Sequence, residues 1–245
     1  MAEEEKKARR AASKLDQLRE AEKNLRNAEL ELVKAKTVNV ELENIASRRN
    51  DDLDALDVRF KLALDSNQRT YNFDDDVNYR SSGNAVKVVG AWARMSPSGI
   101  VVRFNSPGGS IFDGFALYDQ LKAIDLHQAP ITTVCTGMSF SMAGILMQAG
   151  RKRLIAENAT FMVHEASTVT WGKTSDIEDE AKFMRKLNDR LFRILSGRSQ
   201  DAFKAGTAKE GLSLEQMWEK AKRKDWWLDS EEAVYFGLAD EIGYI

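Results

Sequence analysis

Two histidines, a pair of serines beside glycine and a Ser-Pro-Gly-Gly stretch are the parts of this chain best suited to covalent chemistry. His164 ends the run Phe161-Met162-Val163-His164, and Ser139 and Ser141 lie in Gly137-Met138-Ser139-Phe140-Ser141. A serine attacks a carbonyl only when a base takes its proton, and imidazole titrates in the range that work requires. A carboxylate then holds the imidazole tautomer. The oxyanion that forms needs N–H donors without other partners, and a helix start supplies them. Asn105-Ser106-Pro107-Gly108-Gly109 follows directly on a short β-rich run at 100–104. Ser139 and Ser141 are two residues apart, so a short loop could present either one. A Gly-x-Ser-x-Gly elbow is not satisfied, since its fifth position is Ser141. His127 sits in a polar link before Pro130 and reads as solvated.

The elements that must carry these residues alternate. Residues 100–104 (IVVRF) and 131–135 (ITTVC) read as short strands, as do 153–156 and 161–164. Residues 112–124 have helical spacing, a small apolar helix is expected over 141–149, and 176–196 carry Ile177, Ala181, Met184, Leu187, Leu191 and Ile194/Leu195 on one face. Helices are expected at 213–222 and from Asp229, whose capping-box partner is Glu232, to Gly237. Strands alternating with helices through short links predict an α/β fold with a parallel sheet and right-handed crossovers. In such folds ligands gather at the carboxyl ends of the strands, where both serines, the glycine pair and His164 fall.

Residues 1–66 follow another grammar. Of these, 29 are charged, against 45 of the remaining 179, and neither glycine nor proline occurs among them. Ala11, Leu18, Leu25, Leu32, Asn39, Ala46, Leu53 and Phe60 fall at one heptad position, and Lys14, Ala21, Ala28, Ala35, Leu42, Arg49, Leu56 and Ala63 at another. Thirteen of these 16 are apolar, which predicts a coiled-coil helix of about 80 Å with a partner helix over its seam, either a second copy or another chain. The expected domains are therefore a heptad helix over 1–66 and an α/β domain over 67–245.

Composition narrows the function classes. The net charge of −2 gives no reason to expect nucleic acid. No run of 18 apolar residues exists, and the first residues, MAEEEKKARRAASK, lack the apolar core of a signal peptide. A single cysteine, Cys135, excludes an internal disulfide framework and a multi-cysteine zinc site and suits a reducing cytoplasm. On its strand it reads as a small buried hydrophobe.

Four stretches together resemble the ClpP-type serine peptidases in order and spacing: FNSPGGSIFDGFALYDQLKAI, ITTVCTGMSFSMAGILMQAG, RLIAENATFMVHEAS and LSLEQMWEKAKRKDWWLDSEEAVYFGLADEI. The resemblance covers residues 100–245, and more faintly 70–99. It implies the ClpP/crotonase-like fold and a Ser-His-Asp triad. Carried over residue by residue, the nucleophile is Ser141 in Ser-Met-Ala-Gly and the base is His164. The orienting acid is Asp225, followed by two bulky residues, a leucine and a helix ending in Tyr-Phe-Gly-Leu-Ala-Asp. The oxyanion donors are the amides of Gly109 and Met142. Asp229 competes with Asp225 but is accounted for as a helix N-cap, and Asp240 and Glu241 come after the last helix.

The same resemblance implies serine endopeptidase activity on protein or peptide substrates, a homo-oligomeric ring and no metal or organic cofactor. A substrate strand is expected to add beside the 109–112 edge. Two departures stand out. Glu165-Ala166 replaces the family's usual Gln-Pro, and 167–175 holds one glycine where the family is glycine-rich. A heptad helix also stands in place of short axial loops, and no Gly-x4-Gly-Lys-Ser/Thr motif occurs. These features resemble the ClpP-like head-maturation proteases of tailed phages, which cleave scaffold and capsid proteins, so the expected location is the host cytoplasm or the prohead interior. The alternatives are a housekeeping ClpP paralogue that works with a separate ATPase, a crotonase-type acyl-CoA enzyme, and a non-catalytic coiled-coil assembly protein.

Overall fold

The computed structural model of the chain describes residues 68–244 and, apart from these, Lys36 alone. The heptad helix expected over 1–66, its partner helix and the boundary near residue 66 lie outside the described residues.

Seven strands and six helices follow one another in the described span. They are β1 (Thr70–Phe73), α1 (Tyr79–Met95), β2 (Ile100–Ser106), α2 (Ile111–His127), β3 (Ile131–Phe140), α3 (Met142–Met147), β4 (Lys152–Ile155), β5 (Thr160–Val163), α4 (Thr174–Ala205), α5 (Leu214–Ala221), β6 (Trp226–Leu228), α6 (Ser230–Tyr235) and β7 (Glu241–Ile242). The main path of the sheet runs β1-β2-β3-β4-β7, and every pairing along it is parallel. β5 runs parallel to β3 and antiparallel to β6. The expected α/β class with a mostly parallel sheet is therefore present.

β3 is longer than its sequence suggests, and its length creates the site. The apolar run 131–135 reads as a whole strand because Thr136-Gly137 looks like a turn. The chain instead continues to Phe140, and Gly137 adopts a φ of 83° within the strand. Phe104 pairs with Cys135 while Ser106 pairs with Ser139, so β3 carries two extra residues across this stretch. Such a bulge bends a strand and raises its twist. Below it, residues 132–135 pair with β4; above it, residues 138–140 pair with β5. The sheet forks here, and the upper branch brings the end of β5 beside the end of β3.

α1 does not stand out by composition, with Gly83 and Gly90 inside it. Its stripe of buried Ala85, Val88, Val89 and Trp92 follows i, i+3, i+4, i+7, and Asn78 and Ser81 form its capping box. α4 is the longest of the described helices, at 32 residues, and ends on left-handed Gly206. Its apolar stripe is only partly covered: Leu187, Leu191 and Leu195 are buried, whereas Ile177 is 41% exposed. A buried ion pair closes the far edge. Arg153, 1% exposed, is bracketed by both carboxylate oxygens of Asp240 and donates further to Gln148 Oε1 and the Gly237 carbonyl. No helix among the described residues is long and apolar enough to cross a membrane.

Candidate active site

Ser141 stands where β3 gives way to α3, with φ 53° and ψ −122°. A non-glycine residue there is strained by roughly 1–3 kcal/mol, and it persists only where its surroundings hold it. Here the Ser141 N–H donates to the Met162 carbonyl at 2.9 Å. The sharp turn resembles a nucleophile elbow built without the Gly-x-Ser-x-Gly pattern. The two serines of this stretch differ in their exposure. Ser139 is fully buried on the inner side of β3, whereas Ser141 is partly exposed and lines a pocket.

His164 is the first residue beyond β5, and its Nε2 lies 2.8 Å from Ser141 Oγ. That is hydrogen-bonding distance. Its Nδ1 lies 4.0 Å from Asp225 Oδ1, an ion-pair distance that is too long for a hydrogen bond. The pairing of β5 with β6 explains the meeting of His164 and Asp225. Phe161 opposes Leu228, Met162 opposes Trp227 and Val163 opposes Trp226, so the next pair along this antiparallel register is His164 and Asp225.

The glycine pair sits on the other side of Ser141. Val77 donates to the Gly108 carbonyl and accepts from the Ser110 N–H, both at 2.7 Å. In a parallel bridge of that form the intervening Gly109 turns its own amide away from Val77. Gly109 and Met142, the first residue of α3, line one pocket with Ser141 and His164. Gly108, which the sequence reading placed at a strand end without a role of its own, packs directly against the elbow. Its φ is 96°, and a Cβ there would fall 2.8 Å from Ser141 Cβ and 3.0 Å from the Met142 nitrogen. The backbone can pass this close to the elbow only as glycine.

The pocket beneath is apolar, with a volume of about 100 Å³, and Ile111, Ile145, Val163, Leu191 and Leu195 are among its walls. The contribution of α4 to that wall was not read from the sequence, where Leu191 and Leu195 count only as members of an amphipathic stripe. The expected substrate edge at 109–112 needs correcting. α2 begins at Ile111, capped by Ser110, so only Gly109 and Ser110 remain extended. Ile111 and Phe112 have helical backbone, so a strand ladder cannot run on through them.

The competing residues are engaged elsewhere. His127 is exposed at the end of α2. Asp229 caps α6, its Oδ1 accepting from the Glu232 N–H at 2.8 Å. Asp240 holds Arg153. Trp226 packs edge-on against Phe236, and Trp227, 52% exposed, packs edge-on against Phe140 beside the elbow. Cys135 is buried, and burial pushes its thiol up to about 11.

The family model described as Clp protease matches residues 67–244, and the chain belongs to that family. Among its relatives are proteins named ATP-dependent Clp protease proteolytic subunit. One from Bacteroides fragilis is 33% identical over 145 residues, which is 58% of this chain and 63% of the relative. Subunit 1 from Salinibacter ruber is 36% identical over 145 residues, 58% of this chain and 56% of the relative. One from Deinococcus radiodurans is 33% identical over 145 residues, covering 64% of the relative. The chain thus spans roughly 60% of the length of these relatives.

Proposed function

We propose that the chain is a serine endopeptidase in which Ser141, His164 and Asp225 form the catalytic triad. The observation that carries this reading is the 2.8 Å separation of Ser141 Oγ from His164 Nε2 at the mouth of an apolar pocket. Ser141 attacks the scissile carbonyl while His164 takes its proton. The amides of Gly109 and Met142 hold the oxyanion. His164 then protonates the leaving amine, and water releases the acyl-enzyme by the same route in reverse. Asp225 stabilises the imidazolium once its carboxylate closes on Nδ1 from the 4.0 Å seen here. The pocket suits an apolar substrate side chain next to the scissile bond, since its walls offer aliphatic surface.

The protein works as a homo-oligomer in this reading, most simply a ring like that of the family. Exposed Val169, Trp171, Ile177 and Phe183 support it, because apolar residues clustered before and along the first half of α4 are costly to leave in water. We place the substrates among capsid or scaffold proteins processed in the host cytoplasm or the prohead interior, with the heptad helix joining the enzyme to a partner helix. That setting rests on the sequence of residues 1–66. The names of the relatives favour a second setting, a proteolytic subunit served by a separate ATPase. Mass spectrometry of casein and of capsid-protein digests decides the activity. Wild type is expected to yield peptides that Ser141→Ala does not, and identical peptide patterns would end the peptidase reading. Peptides from capsid protein without nucleotide favour the phage setting; cleavage that appears only with an added ATPase favours the second.

A further inference from the structure

We infer that Glu165 is a positioning residue that anchors the turn carrying Asp225, an inference that rests on the triad proposed above. The ladder between β5 and β6 ends at Val163 and Trp226. One step further along the same register stand His164 and Asp225, with no ladder bond to fix their separation. The next connection between the two segments comes from a side chain. Glu165 Oε2 accepts the backbone N–H of Arg223 at 2.9 Å. Arg223 needs such a hold, because it is a non-glycine residue at φ 59°, in the left-handed region.

The turn is otherwise lightly secured. Lys222 ends α5, and residues 222–225 are all exposed. Its charged groups are Lys222, Arg223, Lys224 and Asp225. The segment that leaves β5 contributes Glu165, and its next residue is tied to α4 by the Ala166 N–H, which donates to Asn188 Oδ1 at 2.7 Å. Glu165 therefore stands between a strand end that α4 fixes and a turn that little else fixes. Its acceptor oxygen replaces the missing rung of the ladder, and so sets how near the Asp225 carboxylate comes to the imidazole. A glutamine keeps that oxygen; an alanine does not.

The test is the titration of the His164 ring, followed by NMR in the full chain with ¹³C-labelled histidine. Exposed His127 serves as the internal reference. A nearby carboxylate raises the pKa of an imidazole. Glu165→Ala is expected to lower the His164 midpoint toward that of Asp225→Asn. Glu165→Gln should stay near wild type. In an Asp225→Asn background, Glu165→Ala should produce no further change. Equal falls in Glu165→Gln and Glu165→Ala would overturn the inference, since charge alone would then explain the effect. So would an unmoved midpoint in Glu165→Ala, or an undiminished fall in the Asp225→Asn background. Because the readout is a titration and not turnover, it stands even if the chain hydrolyses nothing; that second result would sink the proposed activity alone.

Discussion

Replacing Gly108 by alanine perturbs the elbow while leaving every residue assigned to the triad and the oxyanion hole in the sequence. The new Cβ would stand 2.7 Å from the Phe140 carbonyl oxygen, 2.8 Å from Ser141 Cβ and 3.0 Å from the Met142 nitrogen. Ordinary contact begins near 3.4 Å, so the closest pairs fall short by roughly 0.6–0.7 Å. Two of these neighbours are backbone atoms, which cannot swing aside as a flexible side-chain tip can. Alanine also inherits a φ of 96°. That strain amounts to about 1–3 kcal/mol, and overpacking adds a similar cost. Part of the clash must be relieved by moving the Phe140-Ser141-Met142 turn. A displacement approaching 1 Å of a reacting group costs on the order of 10²-fold in rate. Hydrolysis of a fluorogenic peptide with an apolar residue before the scissile bond is the assay, with circular dichroism melting beside it. We expect kcat to fall by about 10²-fold and melting to come several degrees earlier. Gly197→Ala in α4 is the control: nothing lies within 4 Å of its Cβ, and it should keep activity and gain up to about 1 kcal/mol from helix propensity. A Gly108→Ala protein with kcat within threefold of wild type and unchanged melting would refute the close-approach argument.

Two further expectations concern the interior. Asp240→Ala leaves the guanidinium of Arg153 buried without its carboxylate, at a cost of about 3–5 kcal/mol, read as a drop of roughly 10 °C in melting temperature. Arg153→Met with Asp240→Leu should recover most of that loss, because an apolar pair of similar volume leaves no charge behind. With its thiol pushed up to about 11 by burial, Cys135 should stay unmodified by iodoacetamide at pH 8 in the native protein and react once the protein is unfolded in guanidinium. Alkylation of the native protein at the unfolded rate would contradict that placement. Through the same burial, stability should decline as pH rises above about 8.5, where the unfolded thiol ionises and the folded one does not, and the decline should flatten near 11.

The elements with strong local signals were legible from the sequence. Asp229 and Glu232 mark the start of α6 by their spacing, and the apolar runs at 100 and 131 mark the beginnings of β2 and β3. What stayed hidden depended on distant partners. The extension of β3 past Gly137 needs β5 to pair with its upper half, and no local pattern announces that partner. β6 is three residues long, and its WWL reads as strand only beside β5. α1 was not read from the sequence, although its capping box and its stripe at 85, 88, 89 and 92 mark it; Gly83 and Gly90 lower its helix propensity. At the site, resemblance singled out Ser141, His164 and Asp225, and the fold adds a reason why two of them lie near each other: the β5–β6 register puts position 225 opposite 164. Gly108 was seen as one of a glycine pair, but its closeness to the elbow was not, because the need for glycine there arises from a turn more than 30 residues away. Glu165 was read only as a departure from the family; its contact was hidden because the partner is a backbone amide, which has no letter in a sequence.

The most direct test of the account is to treat the full chain with a fluorophosphonate and map the adduct by mass spectrometry. An activated serine beside two oxyanion amides should take up one phosphonyl group at Ser141, and His164→Ala should suppress the adduct by several orders of magnitude. An unmodified chain, or an adduct carried by Ser139 instead, would contradict the central claim.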